Sequence, residues 1–223
     1  DVNSLVQLVQ QEPVLSAQIL RTANSAVHAD RGEARGIREA VMRLGPDTAW
    51  QLALAAALLA VAEQDVRSLE GGLLDSWHEQ WAHAMVVGST AGWLSVTEGR
   101  GDVERLFLAG LLHDIGKIFA LYSLSDLLRE DALGAPLSPP LLQALLEGVH
   151  VDIGRELTAH WKLPSYIGAV CAQHHDEQPG PDSLEVHVVR VVSGLDEIRR
   201  SPFHRQGAAA QVLASAAALG LDA

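Results

Sequence analysis

Cysteine is nearly absent from this chain of 223 residues, and Cys171 is the single example. One thiol can build neither a disulfide framework nor a thiolate zinc cluster, so a stapled secreted fold is excluded. The expectation that follows is a reducing, cytoplasmic setting. Aromatic residues make up only 4% of the chain, and Asn-Gly and Asp-Gly pairs do not occur. The usual marks of β-hairpins are therefore missing. Positive charge is also short: 16 Lys and Arg stand against 28 Asp and Glu, for a net charge of −12. Nucleic-acid binding needs a basic face, so no nucleic-acid partner is expected. The local basic stretch of Arg21, Arg31, Arg35, Arg38 and Arg43 is diluted by Asp30, Glu33 and Glu39 and reads as a solvated helix surface. No signal-peptide pattern opens the chain. The apolar run Gln51 to Val61 is too short to cross a bilayer and reads as a buried helix. No membrane partner is expected either. The chain opens on Asp1 rather than Met, which fits a piece of a longer protein.

What is present is helix-forming. Hydrophobic residues make up 48% of the chain, dominated by Ala and Leu, both strong helix formers. The pattern predicts an all-α protein. Pro13 suits the first turn of a helix reaching about Asn24, and Ile37 to Leu44 reads as a short helix closed by Gly45-Pro46. Gly71-Gly72 is the best internal boundary, dividing residues 1–70, an N-terminal helical part, from residues 73–223, a helical core. Leu73 to about Thr97 reads as one long helix, with Asp102 as N-cap of the next. Further helices are expected over Ile118 to Leu128, Leu141 to Leu146, Val151 to Trp161, Pro164 to His175, Ser183 to Arg200 and Gly207 to Leu219.

Within this pattern His113 and Asp114 end an apolar helical run and are followed at once by Ile115-Gly116. Adjacent residues on a helix point about 100° apart. The pair can therefore share one ion only where a helix is ending, and Ile115-Gly116 supplies such an end. Buried imidazoles and carboxylates need compensation, and a metal ion provides it. Other segments deliver more imidazoles: His83 in mid-helix, His150 at a helix start, and His174-His175 at a helix end. None forms a local i, i+4 pair, so a site would be assembled by packing of a bundle. His78, His160, His187 and His204 fit no pattern and read as surface or packing residues. Trp77, Trp81, Trp93 and Trp161 read as core and helix contacts rather than a ligand cage.

The ordered set His83, His113-Asp114, His150 and His174-His175 resembles the HD superfamily of metal-dependent phosphohydrolases. More closely it resembles the HD-related output domain, HDOD, of bacterial signalling proteins. Residues 13–26 are similar to the HDOD element around its Asn-Ser, and Ile37 to Gly45 to its A-I-x-x-L-G element. Trp81-Ala82-His83 is similar to its W-x-H. The stretch from His150 through Gly154, Trp161 and Leu163-Pro164 to His174-His175 is similar to its last segment.

The resemblance implies an HD-type multi-helix bundle with an N-terminal helical subdomain. It also implies a divalent ion held by His83, His113 and Asp114, a second by His150, His174 and His175, and Lys117 as a phosphate contact. An imidazole-rich set suits iron, manganese, zinc or nickel. In hydrolases such ions activate water and hold the phosphoester. Two departures weigh against turnover. The late-helix Asp of HD hydrolases is matched here by Ser193, with Asp196 one turn on as a substitute. The Gly-Tyr-Pro loop of the HD-GYP enzymes is replaced by residues 176–182. Three functions stay open: a non-catalytic signalling or scaffold domain acting on signalling proteins, a metal-dependent phosphohydrolase, and a degenerate pocket that binds a nucleotide without cleaving it. The first is the expectation carried forward.

Overall fold

The computed structural model describes residues 2–11, 13–24, 34–46, 48–50, 52–53, 72–130, 137–176, 183–200 and 205–221. Among these residues there are ten helices and no strand, so the chain is all-α. They are α1 (Val2–Gln11), α2 (Pro13–Ala23), α3 (Ile37–Leu44), α4 (Leu73–Glu98), α5 (Val103–Leu112), α6 (Ile115–Arg129), α7 (Pro139–His160), α8 (Ser165–Gln173), α9 (Leu184–Arg200) and α10 (Arg205–Leu219).

Local chemistry sets several of these boundaries. Gly45 closes α3 at φ 84°, and Gly99 closes α4 in the left-handed region at φ 61°, where a side chain would be strained. The Asp102 carboxylate accepts the Arg105 backbone N–H at 2.8 Å and caps α5. Pro139 and Pro140 occupy the first turn of α7, where a missing N–H costs nothing.

α4 lies on α5, α6 on α7, α7 on α8, and α9 on both α4 and α10. Two of these contacts bring backbones together. A Cβ on Gly110 would lie 2.8 Å from Gly88 Cα, fixing α5 against α4; one on Gly116 would lie 2.0 Å from the His150 carbonyl oxygen, fixing α6 against α7. One buried cluster joins side chains of α1–α3 to those of α4–α8; a second gathers Val87, Ala91, Leu106, Ala109, Val170 and the valines of α9. Residues 103–129, spanning α5 and α6, have the length and apolarity of a membrane span, but an apolar stretch of 18 residues within them is 83% buried inside the bundle.

Several expectations are corrected. His150 does not start a helix: α7 runs unbroken through Gly148, and His150 lies at its centre. A lone glycine costs a helix only about 1 kcal/mol, which the buried stripe Leu142, Leu146, His150, Gly154 and Thr158 offsets. Ile115-Gly116 does not end a helix but opens α6, so the break is His113-Asp114 itself. Trp93 is 49% exposed, because the buried face of α4 runs through Trp77, His83, Ala84, Val87, Ala91 and Ser95 instead. Arg43 is not on the solvated face, since its side chain is 7% exposed and paired to Glu39 at 3.1 Å. Gly71, Arg31, His204, Gln51, residues 54–61 and residues 177–182 lie outside the described residues.

Candidate metal centre

Two helix interiors, one break between helices and one helix end bring the six candidate residues to one place. His83 comes from the middle of α4, His113 and Asp114 from the two-residue break between α5 and α6, His150 from the centre of α7, and His174 and His175 from the end of α8. His83, His113, Asp114, His150 and His174 are each at most 6% exposed. The centre lies at the seam of the two apolar clusters, with Leu112 and Ile115 on one side and Val191 and Val192 on the other.

Hydrogen bonds fix the orientation of four of the five imidazoles. Nδ1 lies 2.8 Å from the Gly110 carbonyl in His113, 3.0 Å from that of Leu146 in His150, and 2.9 Å from that of Val170 in His174. Carbonyls only accept, so Nδ1 carries the proton and Nε2 presents a lone pair. In His83 the Nδ1–H donates to Asp196 Oδ2 at 2.7 Å. A ring N–H given to a carbonyl or carboxylate, with the other nitrogen free, is the outer support typical of metal-ligating histidines.

The free nitrogens converge on one carboxylate. Asp114 Oδ1 is 3.2 Å from His174 Nε2 and 3.5 Å from His150 Nε2. Asp114 Oδ2 is 3.4 Å from His113 Nε2 and 4.0 Å from His83 Nε2. Asp114 Oδ1 and Nε2 of His113, His150, His174 and His175 are buried with no hydrogen-bond partner. Lone pairs facing lone pairs in a dry interior are costly unless a cation lies among them. The donors fall into two overlapping groups whose ligand atoms lie within 4.8 Å of one another. One is Asp114, His150, His174 and His175; the other is His83, His113 and Asp114. The donor set therefore fits a divalent transition metal.

Electrostatics favour neutral His113, His150 and His175 beside the carboxylate. Burial holds His113 well below the ordinary imidazole range, and burial with the adjacent His174 lowers His175 to about 3. Burial pushes the Asp114 carboxyl up, yet it is held well below the ordinary carboxylate range, with the Lys117 ammonium the largest opposing influence. Lys117 is not the solvated lysine that its place after the His-Asp pair suggests. It is 5% exposed, with Nζ 2.9 Å from both Asp114 Oδ2 and Glu147 Oε1.

The late-helix position carries Ser193, whose hydroxyl is 3.3 Å from His83 Nε2 and 3.4 Å from Glu197 Oε1. Asp196 does not substitute as a ligand. Its carboxylate sits behind His83, on Nδ1, and is held by Arg199 at 2.8 Å. Three further residues shape the centre without any motif to announce them. Glu147 pairs with Lys117 and Glu197 faces Ser193. Arg190, only 2% exposed, donates to the Ser215 hydroxyl at 2.9 Å and to the backbone carbonyls of His174 and Asp176, gripping the turn that carries His174-His175. His187 is buried on α9, whereas His78 and His160 are exposed.

Comparison with known proteins bears on the family and the fold. The family model described as HDOD domain matches residues 1–177. A protein of Treponema pallidum (strain Nichols) is 24% identical over 191 residues, covering 82% of this chain; the chain spans only 35% of that relative's length. Among solved structures, one from Shewanella amazonensis SB2B, assigned to the metal-dependent phosphohydrolases, superposes with TM-score 0.72 at 20% identity, covering 93% of this chain and 74% of that one. An HDOD domain protein with unknown function from Geobacter sulfurreducens gives TM-score 0.60 at 23% identity, covering 90% and 67%. At these identities the structures share the fold.

Proposed function

The chain belongs to the HDOD family, and from that premise we propose that it is an output or scaffold domain of bacterial signal transduction. It works through contacts with signalling proteins, and its histidine–aspartate centre holds a divalent transition-metal ion without turning over phosphodiesters. A bound ion supplies Lewis-acid chemistry and electrostatic support to the fold. The chain's own residues do the rest. Asp114 with imidazoles of the centre would hold the ion, the carbonyls of Gly110, Leu146 and Val170 and the Asp196 carboxylate keep four of the five rings with Nε2 free, and Lys117 neutralises Asp114.

The observation that carries the non-catalytic reading is Ser193. HD hydrolases, which the chain resembles, place a carboxylate there; this chain offers a hydroxyl already engaged with His83. Lys117, the candidate phosphate contact, is likewise committed to two carboxylates. The test is hydrolysis of a chromogenic phosphodiester and of cyclic dinucleotides with added manganese or iron. The expected rate equals that of the His113→Ala variant. Turnover that disappears in that variant would instead favour the second reading, a metal-dependent phosphohydrolase acting on a nucleotide or other phosphoester. The shared Asp114 between two donor groups supports that alternative.

A further inference from the structure

The two halves of the centre differ in what their donors are already doing. On one side Asp114 Oδ1 and Nε2 of His150, His174 and His175 are buried and unpaired. That is three imidazoles and a carboxylate, enough for a four-coordinate ion. On the other side the donors are spent. Asp114 Oδ2 holds the Lys117 ammonium at 2.9 Å, and that ammonium is held in turn by Glu147. His83 Nε2 has the Ser193 hydroxyl at 3.3 Å. Only His113 Nε2 is left unpaired there, 3.4 Å from the oxygen that Lys117 occupies. A dication placed on that oxygen would sit beside a fixed positive charge, in an interior where like charges repel strongly. A further carboxylate, Glu197, lies 3.4 Å from the same hydroxyl and is not among the converging donors.

We propose that the centre takes one divalent transition-metal ion, on Asp114, His150, His174 and His175. Lys117 and Ser193 close the His83–His113 half, the ammonium serving as a built-in cation where a second ion would otherwise lie. This rests on the reading that the centre holds metal. It adds a stoichiometry, and gives Asp114 to the His150–His174–His175 half, neither of which the family resemblance implies, because the resemblance provides for an ion in each half and sets Asp114 with His83 and His113.

The test is titration of metal-free protein with cobalt(II), followed by the ligand-field absorption of the ion and by elemental analysis. Far-UV circular dichroism and thermal melts monitor the fold of every variant. The wild-type chain is expected to bind one equivalent. His83→Ala is expected to keep that equivalent with affinity within about tenfold of wild type. His174→Ala is expected to lose more than the roughly 10–100-fold typical of changes behind the ligands. The Ser193→Asp, Lys117→Met double variant, which adds a carboxylate and removes the ammonium, is expected to bind a second equivalent. Two equivalents in wild type would overturn the one-ion assignment and leave the metal-holding reading standing. So would a loss in His83→Ala equal to that in His174→Ala. No binding at all would overturn both.

Discussion

Replacing Gly116 with Ala puts the account under direct mechanical strain. The added Cβ would lie 2.0 Å from the His150 carbonyl oxygen and 2.8 Å from both the His150 carbonyl carbon and Gly154 N. All three neighbours are backbone, so no rotamer change relieves the clash. α6 and α7 must part by roughly 1 Å to restore a tolerable contact, given that real Cβ atoms essentially never approach within 3.0 Å. Overpacking of this kind costs about 1–3 kcal/mol, and the backbone character of the neighbours places it at the upper end. The gain in helix propensity returns at most about 1 kcal/mol. A net loss of about 2 kcal/mol lowers the melting temperature by roughly 4–8 °C in a chain of this size. The same displacement pulls Asp114 from His150, whose Nε2 is 3.5 Å from Oδ1, so metal affinity falls with stability. Gly148→Ala is the internal control. That glycine also lies in α7, has nothing within 4 Å of its missing Cβ, and should gain about 0.4–1 kcal/mol when replaced. Thermal melts by circular dichroism read both. A Gly116→Ala protein melting within about 1 °C of wild type would refute the close-packed α6–α7 contact.

Three further outcomes are expected. Arg190→Met strips the hydrogen bonds that Arg190 gives to the carbonyls of His174 and Asp176 and to Ser215. Unpaired buried groups cost about 1–3 kcal/mol and the loosened turn weakens metal binding about 10–100-fold, both readable by melts and titration; unchanged affinity would remove Arg190 from the support of the centre. Metal added at about 100 times its dissociation constant stabilises the fold by about 2.7 kcal/mol, a rise of roughly 5–11 °C that a chelator reverses; no shift would contradict binding to the folded state. In metal-free protein His113 and His175 are both held below the unfolded imidazole value of about 6.5. Their contribution is therefore intact above that pH and is lost as pH falls toward about 3, because the unfolded chain takes up protons that the folded one excludes. Urea midpoints falling between about pH 6.5 and 4 check this, and a flat profile would contradict it.

The sequence made the helices and the core of the centre legible for different reasons. Leu/Ala periodicity with Pro13, Gly45, Gly99 and Asp102 at the boundaries was enough to place most helices. The histidines were recognisable only as an ordered set, since no two sit at ligand spacing on one helix. What stayed hidden was tertiary. Gly148 reads as a break, but the buried stripe of α7 carries the helix through it and leaves His150 at its centre. Asp196 shares a helix face with Ser193, yet which imidazole nitrogen it meets depends on the packing of α9 against α4. Lys117, Glu147 and Arg190 look like surface charges in one dimension. Their burial or pairing follows from helices brought together across 14 to 30 positions and carries no local pattern.

The central claim is that Asp114 and its imidazoles hold an ion. Anomalous scattering from a crystal of the metal-loaded protein, recorded at the absorption edge of the added metal, tests it most directly. The account predicts one strong peak about 2.0–2.2 Å from Asp114 Oδ1 and from Nε2 of His150 and His174. A map with no anomalous peak within reach of Asp114 would contradict it.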